Sequence, residues 1–204
     1  KVSSHYLIKK NGDIVIMVPD LYIAWHAGLS KWKKYYSLNK NSIGIEVSNP
    51  GHNYNYKKFS KKQIRAILKL TKYLIKKYKI KNKFILGHSD IAPFRKKDPG
   101  RHFPWQSLSS SNLVMSFKKI KKNEIKIIEK WFYNNNLKSK KQKTILALSL
   151  IGYDTREVYK NDKLYNKLIR AYRARYLNSE DTVKNNSIYD ALIKHLFNFL
   201  LTKN

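Results

Sequence analysis

Between Ser60 and Tyr78 the hydrophobic period changes, and that change bounds the fold. Ser60 and Gln63 form a capping box. Ile64, Ile67, Leu68, Leu74, Ile75 and Tyr78 then recur at helical spacing, which predicts an amphipathic helix over 61–78 with lysines on its outer face. Upstream, the apolar runs are short and β-branched. Ser4 to Ile8 and Ile14 to Val18 flank Asn11-Gly12, the strongest short hairpin signal, and Ser42 to Val47 reads as a further strand stopped by Asn49-Pro50-Gly51. Lys83 to Leu86 is expected to be a strand leading into Gly87-His88, with a loop punctuated by Pro93, Pro99, Gly100 and Pro104 running to Trp105. Downstream the period is helical alone, over about 117–134, 140–150, 162–177 and 187–202. The expected class is α/β, a mixed central sheet flanked by helices, plus a small all-α C-terminal domain. Domain boundaries follow: 1–106, a linker at 107–116 centred on the serine run Ser107–Ser111, and 117–204.

Charge narrows the partners. With 43 Lys and Arg against 13 Asp and Glu, the net charge of +30 draws the chain to polyanions through a salt-sensitive attraction. Nucleic acid, anionic lipid and acidic envelope polymers all fit, as does a solvated lysine-rich surface. The absence of cysteine excludes disulfides, thiolate zinc sites and cysteine nucleophiles.

Residues of catalytic type gather in the first half, in loops and at strand ends: His5, His26, His88 and His102 with Glu46, Asp90 and Asp98. His88 and Asp98 lie ten residues apart across a proline-stiffened loop, and imidazole and carboxylate both ligate zinc, although a hydrogen-bonded loop histidine fits the spacing as well. Glu46 stands in an apolar strand, either as a solvent-facing residue or as a carboxylate with a catalytic reason to be there. Lys96, between Arg95 and Lys97, puts a cation beside Asp98 that could counter a developing oxyanion, or could be plain surface.

Four segments resemble, in order and spacing, the N-acetylmuramoyl-L-alanine amidase type 2 family, which includes the peptidoglycan-recognition proteins: Ser3-Ser4-His5-Tyr6-Leu7-Ile8, Ala24-Trp25-His26-Ala27-Gly28, Ser42-Ile43-Gly44-Ile45-Glu46, and Gly87-His88-Ser89-Asp90-Ile91-Ala92-Pro93 with Arg95-Lys96-Lys97-Asp98-Pro99-Gly100. The resemblance covers residues 1 to about 106. It implies a zinc enzyme that cleaves the amide between N-acetylmuramic acid, or its anhydro form, and the L-alanine of the peptidoglycan stem peptide. By similarity His88 and Asp98 are zinc ligands, Glu46 the general base, Lys96 the oxyanion cation, and Trp25, His26 and His5 substrate-cleft residues. The family's third ligand is a histidine on a strand expected upstream of Lys1.

Leu148 to Asp154 and Leu168 to Tyr176 resemble the small helical peptidoglycan-binding module often joined to such amidases. Peptidoglycan and muropeptides are therefore the expected partners, with envelope association and no nucleic acid. The periplasm or outer membrane is the expected location, a cytoplasmic one the alternative. A non-catalytic peptidoglycan-recognition protein is the competing function.

Overall fold

The computed structural model describes residues 2–54, 56–115, 121–177 and 185–201, without the side chains of 185–187 and 201. The end of the expected linker at 116, the start of the next expected helix at 117 and residue 202 lie outside these. Three short strands, β1 (Tyr6–Ile8), β2 (Ile14–Ile16) and β5 (Ile45–Val47), form a sheet in the order β2-β1-β5. The Asn11-Gly12 turn joins β1 to β2 antiparallel, with Gly12 at φ 91°, while β5 pairs parallel to β1 with Leu7 opposite Glu46.

Strand alternation decides which way Glu46 points. Tyr6 and Ile8 are buried in the same apolar cluster that Ile45 and Val47 join, so Glu46, between them, belongs to the opposite face. Helix α1 (Lys61–Tyr78) covers the apolar face with Ala66, Ile67, Leu70 and Leu74. The capping box forms as expected, and the Gln63 amide also donates to the Ser48 carbonyl at 2.7 Å, tying the helix start to the end of β5.

Two expectations are corrected. Residues 83–86 are not a strand: Asn82–Phe84 make one 3-10 turn, and the extended backbone at Ile85 and Gly87 joins neither sheet. A strand exists only through a partner, and the apolar pattern alone cannot supply one. Nor is the serine run an open linker. Trp105–Ser110 form α3, and Leu108, 1% exposed, packs in the α1 cluster.

Between β2 and β5, a small hairpin of β3 (Lys31–Trp32) and β4 (Tyr35–Tyr36) lies within what the sequence shows only as a polar, aromatic loop. It anchors the second half of the chain. Trp32 is buried edge-on against Tyr153, ring centroids 4.9 Å apart, and the Lys33 amide donates to the Gly152 carbonyl at 2.8 Å. Gly152 cannot carry a side chain, since a Cβ there would lie 2.7 Å from the Trp32 ring.

The remaining helices are the one-turn α2 (His88–Ile91), then α4 (Lys122–Asn134), α5 (Lys140–Ile151), α6 (Asp162–Tyr176) and α7 (Asn185–Leu201). Apolar stripes of α4 to α7 enclose Phe132, Leu148, Leu168 and Leu192, and each such burial contributes roughly 1.5–3 kcal/mol. Ala27, Trp32 and Leu38 from the first half belong to that same core. Among the described residues no helix is long and apolar enough to cross a membrane.

Candidate active site

Gly87 caps α2 and places His88 on its first turn, and the loop that follows folds Asp98 back so that the Ser89 amide donates to the Asp98 carbonyl at 2.8 Å. The His88 Nδ1 and an Asp98 carboxylate oxygen then meet at 2.9 Å. Burial alone would push the Asp98 carboxyl up, but the hydrogen bond and charge of His88 outweigh it and hold the group below the usual carboxylate range.

His88 is gripped from behind as well. Its Nε2 lies 3.2 Å from the Ala27 carbonyl and 3.3 Å from an Arg95 guanidinium nitrogen. Arg95 can only donate and the carbonyl can only accept, so the two suit opposite tautomers. With the proton on Nδ1 the ring donates to Asp98. With the proton on Nε2 it donates to Ala27 and frees the Nδ1 lone pair for a ligand. Arg95 also donates to the carbonyls of Ala27 and Leu29, bracing that loop.

A cavity of about 410 Å³ opens beside this pair, lined on its polar side by Glu46, His26, Ser42, His88 and Asp98. Solvent reaches Glu46, yet the surrounding protein withholds hydration, and together with the Asp98 charge this raises its carboxyl, partly offset by His88 and Lys96. Glu46 is thus a better proton acceptor than a free carboxylate. Lys96 is half-buried and does not line the cavity, but its charge reaches both Glu46 and Asp98.

The other expected site residues separate. His26 lines the cavity and is held at both nitrogens, Nδ1 on the Ala24 carbonyl and Nε2 on the Ser42 hydroxyl, each at 2.9 Å; burial lowers its pKa. Its ring lies so close to β5 that a Cβ on Gly44 would come within 2.3 Å of it. Trp25 is 58% exposed and outside the cavity lining. His5 lies outside the cavity lining. It is 2% exposed, with Nδ1 accepting from the Gly44 amide at 3.0 Å and Nε2 donating to the Tyr22 carbonyl at 3.1 Å, so it ties β1 to the start of β5.

Sequence reasoning gave no role to Asn39, whose side-chain oxygen accepts from the amides of His26 and Ala27 at 3.1 and 2.7 Å and so shapes the His26 loop. No local pattern marks it. Asp90, singled out only as a residue of catalytic type, is fully buried instead and faces away from solvent.

A nitrogen and an oxygen donor converging at 2.9 Å suit a borderline divalent metal such as zinc. Neighbouring donors on a tetrahedral ion lie about 3.3 Å apart, so a small separation of His88 from Asp98 would admit one in place of their shared proton. Among the described residues no third His, Cys, Asp or Glu completes the set.

Residues 1–101 match the model of the N-acetylmuramoyl-L-alanine amidase family. The chain belongs to that family through this segment. It is similar to the N-acetylmuramoyl-L-alanine amidase AmiD of Escherichia coli strain K12, 42% identical over an alignment of 125 residues, with 55% of this chain and 45% of AmiD covered. The chain thus spans about half the length of the curated relatives it matches. Its fold is similar to the crystal structure of AMPDH3 from Pseudomonas aeruginosa, with TM-score 0.79 and 27% identity over 97% of this chain and 82% of that one. A complex of E. coli AmiD with the substrate anhydro-N-acetylmuramic acid-L-Ala-D-gamma-Glu-L-Lys gives TM-score 0.76 and 29% identity over 96% and 79% of the two chains. At that coverage the likeness takes in the helices α4 to α7.

Proposed function

We propose that this chain is a zinc-dependent amidase that hydrolyses the bond between N-acetylmuramic acid, in its anhydro form or not, and the L-alanine of a peptidoglycan stem peptide. The observation that carries the proposal is the convergence of His88 and Asp98 at 2.9 Å on a cavity that Glu46 also lines. Family membership and the substrate complex of AmiD support the choice of substrate.

In this reading His88, through Nδ1, and Asp98 hold the metal. When bound, zinc supplies Lewis acidity that lowers the pKa of water and polarises the scissile carbonyl. Glu46 takes a proton from the attacking water at its carboxylate and passes it to the departing alanine nitrogen, and its raised proton affinity suits both transfers. Lys96 supplies positive charge against the oxyanion. His26 presents a fixed edge to the substrate, and Trp25 offers an exposed aromatic surface nearby in sequence.

Helices α4 to α7 serve, in the same proposal, as a wall-binding region, and the +30 charge suits the anionic polymers of a bacterial envelope.

The test is product analysis of the zinc-loaded, full-length protein with an anhydro-N-acetylmuramyl tripeptide. Free tripeptide beginning at L-alanine is expected. Glu46→Gln should keep the metal and slow release roughly 10²- to 10⁴-fold, whereas Asp98→Ala should lose metal and activity together. Binding of zinc and muropeptide with no release would make the chain a recognition protein instead.

A further inference from the structure

α2 is a single turn, too short to fix its own geometry, yet it carries His88. Its support comes from elsewhere in the chain. One oxygen of the fully buried Asp90 accepts from the Gly87 amide at 2.7 Å, directly ahead of His88, and the other accepts from the Tyr153 hydroxyl at 2.7 Å. Arg175 of α6 pairs with the same carboxylate at 3.0 Å and donates to the Ile85 carbonyl at 2.6 Å. One guanidinium therefore holds the backbone before His88 and the carboxylate after it. The Trp105 ring lies 3.8 Å beneath that guanidinium, and a Cβ on Gly87 would meet Pro99 at 2.8 Å and Trp105 at 3.2 Å, so the turn has no slack.

We propose that Arg175 and Tyr153 of the helical half are positioning residues for His88, acting through the buried carboxylate of Asp90. A buried ion pair is a poor way to gain stability, because apolar residues of the same volume do as well or better. What Asp90 offers that a leucine cannot is direction, an acceptor aimed at the amide next to His88. The Ser89 amide, held by the Asp98 carbonyl, passes the same constraint to the second expected ligand. The proposal rests on the reading of His88 as a metal ligand.

The experiment measures zinc affinity of the full-length protein by chelator competition, the visible spectrum of its cobalt-loaded form, and the urea midpoint, for wild type, Tyr153→Phe, Arg175→Met and Arg175→Lys. Tyr153→Phe deletes one hydroxyl and is the variant expected to stay fully folded. It should weaken zinc binding about 10-fold and alter the cobalt spectrum, with Arg175→Met nearer 100-fold. Arg175→Lys should recover part of the loss. Zinc affinity and spectrum unchanged in both Tyr153→Phe and Arg175→Met, with only the urea midpoint lowered, would overturn the proposal and leave a purely structural pair. A wild-type protein that binds no zinc, or whose binding survives His88→Ala, would overturn the metal-site reading and this proposal with it.

Discussion

The sheet half of the molecule and its helical half are built to different standards. Around His88, Asp98 and Glu46 the elements are three- and four-residue pieces joined by loops, held by hydrogen bonds from side chains such as His26, Asn39 and Arg95. Helices α4 to α7, of 12 to 17 residues, close on a continuous apolar core that also takes in Trp32 and Leu38 of the sheet half. The difference teaches where the site's rigidity originates. The half that bears the reactive groups packs its sheet under α1, but on the His88 side, through Ala27, Leu86 and Ile91, it leans on the core of the half that bears none.

The largest test of that dependence is Phe132→Ala. Phe132 is fully buried in α4, and its truncation should cost about 3–5 kcal/mol in urea unfolding. Because the core is shared, unfolding should remain a single transition followed equally by probes in both halves. Two separated transitions would break the comparison and restore an independent helical domain.

A smaller effect sharpens it. His195, 1% exposed in α7, has its pKa pushed well below the ordinary 6.5 by burial and by the Arg175 charge. Below that value the unfolded chain takes up a proton that the folded chain refuses. Stability is therefore complete above pH 6.5 and falls as the pH drops. For one proton the slope below pH 6.5 can reach at most about 1.4 kcal/mol per pH unit. His195→Gln should flatten the stability profile by up to that amount, and an unchanged slope would show that the helical core does not exclude the proton.

The smallest expected change is at the surface. Trp25→Ala should alter stability by no more than about 0.5 kcal/mol, since the ring is largely exposed. If Trp25 serves the substrate, KM alone should rise.

Local structure was legible where local rules govern it. Ser60 and Gln63 predicted the start of α1, Asn11-Gly12 the hairpin, and the helical periods the bodies of α5 and α6 to within a residue or two. The strand expected at 83–86 failed because pairing is a property of two segments, and the linker failed because serines beside a buried leucine can still wind a helix. At the site, His88, Asp98, Glu46 and His26 were found as candidates and gather on one cavity. The Asp90–Arg175 contact was not foreseen, because its partners stand 85 positions apart and neither bears a local mark of the other.

The contact between Gly44 and the His26 ring constrains how the sequence itself can drift. With 2.3 Å between that ring and any new Cβ, alanine at 44 is blocked while His26 stands, but becomes admissible once His26 is replaced by something smaller. The two positions can change only in one order. The first step surrenders the hydrogen bonds to Ala24 and Ser42 that hold the cavity wall, so descendants that keep the site keep both residues, and the strand carrying Glu46 inherits a glycine for the sake of a histidine 18 positions earlier.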